Sequence, residues 1–355
     1  MPMPQKENLN YETLLKMDTL PSKETVFSLA QGVCQVLASE SSSYRPLNCI
    51  GEPGSLLELE DDLPVVLVPD IHARPDFVLN ILNYHLPKKM CGTKEDGNKY
   101  TVLEALQNKQ IYVICVGDGI HTELYASRWE LISIEFEKGD CAGLYMKDEM
   151  ILGLSTLCAL MKLKIDFPQN FHFLKGNHEN ILDVTLGGDY SFCKYAREGE
   201  MVKLFMLKQY GDKVLNMIAK YENLLPLIAV VNNYVISHAE PAQAFTREQL
   251  IDARFDDSVV EGLIWTRNGQ VKENTALAIA AELLGKKASK KSLYFAGHRP
   301  VKEEFALRQD GRFIQIHNPR KQNVFLLHNE RKFDFSKDIV NVKPGKNLRA
   351  GGKEK

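Results

Sequence analysis

The sequence of 355 residues predicts an α/β sandwich of mixed β-sheets with helices packed against them. Short, strongly apolar runs recur along the chain, and longer segments with helical periodicity separate the early runs. Apolar runs of this length that are rich in β-branched residues are typical of buried strands. Strands that alternate with helices and are followed by hairpins favour layers in which helices cover mixed sheets.

The chain begins with a predicted helical extension, residues 1–60. From Lys23 to Ser39 the apolar residues recur at helical spacing, and Pro21-Ser22 precede them as a helix start signal. The polar residues 40–43 end this pattern.

The remaining elements follow in order from their patterns, and Asn232-Asn233 predict a hairpin turn between two of the strands. The predicted strands are 65–68, 111–116, 171–174, 227–231, 234–236, 292–295, 313–316 and 324–327. The predicted helices are 75–86, 124–137, 147–163, 200–209 and 212–223. The basic, glycine-containing tail 336–355 shows no apolar periodicity and is predicted to be disordered.

The charge balance argues against several classes of function. Lys and Arg number 44 against 46 Asp and Glu, which gives a net charge of −2, so no nucleic-acid partner is expected. The mean hydropathy is −0.24 and no apolar run is long enough for a membrane span, so no membrane partner is expected. The oligomeric state is left open.

The cysteines indicate the compartment. The seven cysteines never come close enough in sequence to form CxxC motifs, which argues against a disulfide framework and against zinc or redox sites of that type. The first residues lack the apolar region of a secretory signal. A cytoplasmic location is therefore expected.

Side chains able to bind metals follow five predicted strands at the point where each ends. Each such motif is common alone, as a solvated turn, a helix cap or a hydrogen-bonded core imidazole. Because loops at the carboxyl ends of strands converge on one crevice, the five together favour a single site. These residues are Asp70, His72, Asp118, Asn177, His178, Glu179, His238 and His298.

The order Asp70-x-His72, Gly117-Asp118, Gly176-Asn177-His178-Glu179, His238 and Gly297-His298 resembles the calcineurin-like metallophosphoesterase superfamily. Within it, the chain is most similar to the branch of phosphoprotein phosphatases and symmetrical bis-nucleoside tetraphosphatases. Residues 224–229 and 262–265 resemble further stretches of that branch. The resemblance covers roughly 63–330 and implies an αββα metallophosphoesterase domain, here placed at 61–335.

The resemblance implies two divalent transition-metal ions as cofactors. One would be held by Asp70, His72 and Asp118, and the second by Asp118 as a bridge together with Asn177, His238 and His298. Mixed carboxylate, amide and imidazole ligands suit Mn²⁺, Fe or Zn²⁺ better than Mg²⁺.

The implied activity is hydrolysis of phosphate monoesters by direct attack of a metal-bound water, of the serine/threonine protein phosphatase type. Asp118 and His178 would be catalytic, with His178 protonating the leaving oxygen. The partner would be a phosphorylated substrate, either a phosphoprotein or a small phosphate ester. Two alternatives stay open: a nucleotide or dinucleoside polyphosphate hydrolase, and a catalytically weak metal-bound scaffold.

The second motif departs from the family pattern because it lacks the usual acid and arginine. His121 occupies the position of the acid, and an imidazole there is expected to lower the pKa of His178. Glu123 or Glu240 is expected to orient His178 instead. The predicted substrate-binding residues that replace the missing arginine are Arg74, Arg299 and Arg267.

Other catalytic motifs are absent from the sequence, including the phosphate-binding loop GxxxxGK[ST], GxGxxG, HExxH and GxSxG. The histidines that fall inside strand-like or helix-like runs are predicted to be structural. These are His85, His172, His317 and His328.

Overall fold

A computed structural model describes residues 10–60 and 62–344. Within them the strands form a six-stranded sheet of order β1-β5-β6-β7-β9-β8 and a five-stranded sheet of order β11-β10-β2-β3-β4. The strands are β1 Leu56–Glu58, β2 Val65–Val68, β3 Tyr112–Cys115, β4 Phe171–Phe173, β5 Ile228–Val231, β6 Tyr234–Ser237, β7 Leu293–Ala296, β8 Ala306–Arg308, β9 Phe313–Gln315, β10 Asn323–Leu327 and β11 Ile339–Asn341.

The helices start at residues with good capping side chains in several cases. Ser22 accepts from the Thr25 amide at the start of α2, and Thr101 and Glu104 form a capping box on α5. The helices are α1 Tyr11–Leu15, α2 Lys23–Ala38, α3 Pro75–Asn83, α4 Lys88–Cys91, α5 Val102–Gln107, α6 Ala126–Glu137, α7 Leu144–Asp166, α8 Glu198–Gln209, α9 Asp212–Leu224, α10 Arg247–Ile251, α11 Asp257–Ile264, α12 Thr275–Leu284 and α13 Lys286–Ser289.

The predicted sandwich of two mixed sheets flanked by helices is confirmed. Successive side chains of a strand point alternately to the core between the sheets and to the helices outside. In β2, Val65 and Leu67 face the core between the two sheets, whereas Val66 and Val68 face the helices that cover the five-stranded sheet. Both faces of such a strand are buried, which is why its sequence is a continuous apolar run rather than an alternating one.

The direction of the central strands determines where the loops meet. In the five-stranded sheet β2, β3 and β4 run parallel to one another, and in the six-stranded sheet β6, β7 and β9 do the same. Six strands therefore deliver their carboxyl ends, and the loops that follow them, to the edges of two packed sheets.

The segment predicted as an N-terminal helical extension shares the core of the rest of the chain. Helix α2 packs against α7 and α9, and β1 pairs in parallel with β5 at the edge of the six-stranded sheet. Strand β1 was not predicted because its three residues, at the edge of the sheet, form no extended apolar run. Residues 1–9 of the predicted extension lie outside the described residues.

Part of the predicted disordered tail is ordered. Strand β11 pairs antiparallel with β10, and Val342 is buried beside it, so the chain stays attached to the sheet at least to residue 342. Residues 345–355 lie outside the described residues. Across 10–60 and 62–344, no helix combines the length and the apolar character that crossing a bilayer would need.

Candidate active site

Loops that follow six parallel strands meet at one end of the sandwich. The loops after β2, β3 and β4 come from one sheet, and those after β6, β7 and β9 come from the other. Hydrogen bonds join the two sets: His238 Nδ1 bonds the Val116 carbonyl oxygen at 2.9 Å, and the His298 amide donates to Asp70 Oδ2 at 2.8 Å. This junction brings together all the predicted metal ligands, Asp70, His72, Asp118, Asn177, His238 and His298.

Asp70, His72 and Asp118 form the first cluster of ligand atoms. His72 Nε2 lies 3.9 Å from Asp70 Oδ2 and 3.5 Å from Asp118 Oδ2. The other ring nitrogen of His72, Nδ1, bonds the carbonyl oxygen of His121 at 3.1 Å. Because a carbonyl can only accept, the proton is on Nδ1, and the lone pair of Nε2 faces two carboxylates.

A second cluster shares Asp118 with the first. His238 Nε2 lies 3.5 Å from Asp118 Oδ2 and 2.9 Å from Asn177 Oδ1, and His298 Nδ1 lies 2.9 Å from the same amide oxygen. The bond from His238 Nδ1 to the Val116 carbonyl again leaves Nε2 as an acceptor. The lone pair of His238 Nε2 therefore faces Asp118 Oδ2 and Asn177 Oδ1 with no proton between these atoms.

These residues fit divalent cations. Asp70 Oδ1 and His72 Nε2 are buried and have no hydrogen-bond partner among the described residues. Burial raises the pKa of Asp118, and the charges of Asp70 and Glu179 raise it further. Buried acceptors that face one another are costly unless a cation lies between them. The mix of carboxylate, amide and imidazole donors suits a divalent metal ion.

The loops hold their ligands in uncommon backbone conformations. The φ angles of His72, Asp118 and His298 are 47°, 55° and 62°, and Ala73 and His121 adopt 49° and 63°. A left-handed conformation costs a residue other than glycine on the order of 1–3 kcal/mol, and such residues concentrate at functional sites. Ala73 therefore keeps this conformation without being glycine, the residue that favours it.

Two glycines allow the carboxylates to lie against the backbone. A Cβ atom on Gly176 would collide with Asp118 Oδ1, and one on Gly297 would collide with Asp70 Oδ1. The buried carboxylate of Glu179 accepts from the amides of Asp118 and Gly176 at 2.8 and 2.7 Å, which fixes the loops after β3 and β4 to each other. The sequence singled out Glu179 as part of a motif but did not predict this contact.

His178 lies beside the shared carboxylate, with Nε2 3.7 Å from Asp118 Oδ2. Its Nδ1 is 2.8 Å from Nδ1 of His121, and the Phe192 ring packs on it at a centroid distance of 3.7 Å. Burial lowers the pKa of His178 well below its ordinary value, and the neighbouring His72 and His121 lower it further. The predicted effect of His121 is confirmed.

The three predicted substrate-binding arginines are placed differently. Arg74 is buried and donates to backbone carbonyl oxygens, from Nε to Ile71 at 2.8 Å and from its NH2 nitrogen to Asp70 at 2.6 Å. Its guanidinium therefore holds the loop after β2, and this geometry does not favour the predicted contact with phosphate. Arg299 and Arg267 are exposed.

Neither carboxylate predicted to orient His178 contacts it. Glu240 accepts from Arg308 Nε at 2.8 Å and from Gln309 at 2.9 Å. Glu123 lies in the site, but it pairs with His317 and with Lys194, and its Oε1 is 3.7 Å from His72 Nε2. Burial alone would raise the pKa of Glu123, but these neighbours hold it far below its ordinary value.

His317, predicted to be structural, lies in the site. It is fully buried, with Nδ1 3.6 Å from Asp70 Oδ2. The predicted place within a strand-like run was wrong, because His317 lies two residues beyond the end of β9, as His298 lies two residues beyond the end of β7. The rule that a polar residue at a strand end belongs to the site would have identified it.

The calcineurin-like phosphoesterase family matches residues 63–335. Among solved structures, the chain is similar to a protein serine/threonine phosphatase from Saccharomyces cerevisiae with similarity to human phosphatase PP5, at a TM-score of 0.55 and 15% identity over 90% of this chain and 89% of that one. It is also similar to a cold-active protein-tyrosine phosphatase of a Shewanella species, at a TM-score of 0.42 and 15% identity over 77% and 78%. Since the family match spans most of its length, the chain belongs to the calcineurin-like phosphoesterases.

Proposed function

We propose that this protein is a metal-dependent phosphatase that hydrolyses phosphate monoesters of phosphoproteins at the junction of the six loops. The observation that carries the proposal is the pair of buried ligand clusters that share one carboxylate, Asp118. A shared carboxylate suits two neighbouring cations, the arrangement that clamps a phosphoryl group during in-line displacement.

The ligands divide into two sets. Asp70, His72 and Asp118 would hold one cation, and Asp118, Asn177, His238 and His298 would hold the other. When bound, the two cations would neutralise charge on the phosphoryl oxygens and lower the pKa of a water nucleophile toward about 7.

His178 would donate a proton to the leaving oxygen. Its contacts with His121 and Phe192 fix the ring so that Nε2 points toward the side of the site where Asp118 lies. His121 Nε2 has no partner among the described residues. If His121 Nδ1 donates to His178 Nδ1, the proton of the neutral His178 ring lies on Nε2, where it can bond the leaving oxygen.

Two basic side chains would bind the phosphate dianion. The charge of Arg299 and that of Lys194 each contribute, after burial and His238, to lowering the pKa of His298. The charge of Lys194 also contributes to lowering the pKa of His178. We propose that Arg299 and Lys194 take the role of the missing family arginine, and that Arg267 contacts more distant parts of the substrate.

The rim of the site favours a polypeptide substrate. Tyr125, Tyr190 and Tyr195 lie on loops that also carry site residues, and each is more than a third exposed. Exposed aromatic side chains beside an open cleft can pack against the residues that flank a phosphorylated side chain.

The test is steady-state hydrolysis by protein that has been stripped with a chelator and reconstituted with Mn²⁺, Fe²⁺ or Zn²⁺. p-Nitrophenyl phosphate would report any phosphoesterase activity. Phosphoserine, phosphothreonine and phosphotyrosine peptides would then be compared with diadenosine tetraphosphate. We expect kcat/KM to be highest for a phosphopeptide, whereas a preference for the dinucleotide would support the polyphosphate alternative. Metal binding without turnover of any of these would favour a scaffold.

A further inference from the structure

His317 is held between two carboxylates in the wall of the first ligand cluster. Its Nε2 lies 3.0 Å from Glu123 Oε2, and its Nδ1 lies 3.6 Å from Asp70 Oδ2. The ring is fully buried and its centroid is 5.0 Å from that of His72. The two nitrogens are in different environments, since the Nε2 distance is that of a hydrogen bond and the Nδ1 distance is too long for one.

The contact with Glu123 determines which nitrogen is protonated. A carboxylate can only accept, so Nε2 donates its proton to Glu123, which in turn is paired with Lys194. Nδ1 has no hydrogen-bond partner among the described residues. In the neutral ring it therefore presents a lone pair toward Asp70.

The buried nitrogens of a structural histidine are expected to have hydrogen-bond partners. His172 illustrates this in the same chain, because its Nδ1 lies 3.3 Å from Lys164 Nζ and its Nε2 lies 3.0 Å from the Gln169 carbonyl oxygen. His317 differs from His172 in having one satisfied nitrogen and one bare nitrogen that faces a carboxylate.

The spacing of the bare atoms matches the ligand sphere of a metal. His317 Nδ1 and His72 Nε2 lie 3.6 and 3.9 Å from Asp70 Oδ2, and ligand atoms of all three residues lie within 4.8 Å of one another. Ligand atoms about 2.1 Å from a tetrahedral cation are about 3.4 Å apart. A cation between these atoms would satisfy all of them.

We propose that His317 is a further protein ligand of the cation held by Asp70, His72 and Asp118, and that Glu123 is the positioning residue that orients it. The inference rests on the dinuclear site proposed above. Carboxylates commonly orient metal-binding histidines through the second ring nitrogen. With His317 included, the first cation has four protein ligands, as many as the second.

The experiment measures metal binding rather than turnover. Metal-free wild-type protein and His317→Ala would be titrated with Co²⁺, with the bound metal counted by mass spectrometry and its environment followed by visible absorption. We expect wild type to bind two ions. His317→Ala should bind the first-cluster ion more than 10-fold more weakly, with a changed Co²⁺ spectrum.

Glu123→Gln tests the same inference with the ligand intact. It should weaken the same ion by about 10–100-fold, the usual effect of losing a group that orients a ligand. This variant also serves if His317→Ala does not fold. The matched control is His328→Ala, another buried histidine, which is bonded to Arg331 and Asp338 and should bind both ions as wild type does.

The inference would be overturned if Glu123→Gln, or folded His317→Ala, bound both ions with the affinities of the wild-type protein. It would also be overturned if the wild-type protein bound fewer than two ions. Failure of the proposed function is a separate result: wild type would bind two ions and both variants would lose affinity, but no phosphoester would be hydrolysed.

Discussion

Two clusters of buried charged residues in the described part of the chain differ in whether their charges are paired. In the first, which we term the Glu40 cluster, the carboxylate of Glu40 pairs with Arg45 and lies 2.6 Å from Lys164 Nζ. Lys164 also donates to the Phe171 carbonyl oxygen at 3.1 Å, and Arg45 Nε donates to that of Gly54 at 2.7 Å. At the strand ends, by contrast, Asp70 and Asp118 lie among acceptors that lack donors.

The difference distinguishes a structural cluster from a functional one. Both consist of buried charges, and burial alone gives no indication of the role. In the Glu40 cluster the protein itself supplies the opposite charge, so the cluster can stabilise the fold. At the strand ends the positive charge must come from outside, and until it arrives the buried carboxylates destabilise the fold. Substitutions in the two clusters should therefore separate stability from metal binding.

The largest effect is expected from removal of the shared charge. Asp118→Asn keeps the shape of the side chain but removes the carboxylate common to both ligand sets, so both cations should be lost and turnover should fall to that of metal-free protein. Elemental analysis by mass spectrometry checks this. Retention of two ions by the variant would contradict the assignment of Asp118 to both clusters.

Replacement of His178 should lower activity without loss of metal. His178→Ala should reduce kcat by roughly 10²–10⁴-fold, the usual contribution of a general acid. The loss should be smaller for p-nitrophenyl phosphate than for an alkyl phosphate, because a good leaving group needs less protonation. An equal loss for the two substrates would rule out proton donation by His178.

Replacement of Glu40 should have the opposite effect, lowering stability without loss of metal. Glu40→Gln leaves two buried cations without their carboxylate, which should lower the free energy of unfolding by about 3–5 kcal/mol. Urea denaturation measures the change, and Glu12→Gln, at an exposed ion pair on α1, is the control expected to show none. A variant that remained as stable as wild type would show that the cluster does not stabilise the fold.

The pH dependence should be the smallest effect. Burial alone would raise the pKa of Glu40, but Lys164 and Arg45 lower it to about 2 from 4.5. The folded state thus favours the charged form of Glu40. The ionised carboxylate therefore adds about 3 kcal/mol to the free energy of unfolding above pH 4.5, and this stabilisation is lost as pH falls toward 2. The difference in unfolding free energy between wild type and Glu40→Gln should shrink over that range, and a difference independent of pH would contradict it.

The sequence pattern predicted those helices and strands whose own residues form a long or strongly apolar pattern. Strand β2 was predicted at its observed bounds, and α9 was predicted within one residue, because each has a long or strongly apolar pattern. Strands β1, β8 and β11 were not predicted. Each has three residues and lies at the edge of its sheet, and β8 and β11 are partly exposed, so none of them forms a long apolar run.

The same limit applies to the site. The order of Asp70, Asp118 and the later ligands could be predicted because each follows a recognisable strand. The role of Arg74 could not, since its orientation depends on carbonyl oxygens of Pro319 and Lys321, which the fold brings to it from the far end of the chain. Lys194 was missed for the same reason: it reaches the site only through its pair with Glu123.

The pairing of β1 with β5 has a consequence for synthesis. Leu56 meets its partner Ile228 only after roughly 170 further residues have been made, about 10–30 s at 5–20 residues per second. During that time the apolar face of α2 also lacks its contacts with α9. A nascent chain must therefore expose this face to chaperones or to other chains, whereas a full-length chain refolding from urea has every partner present at the start.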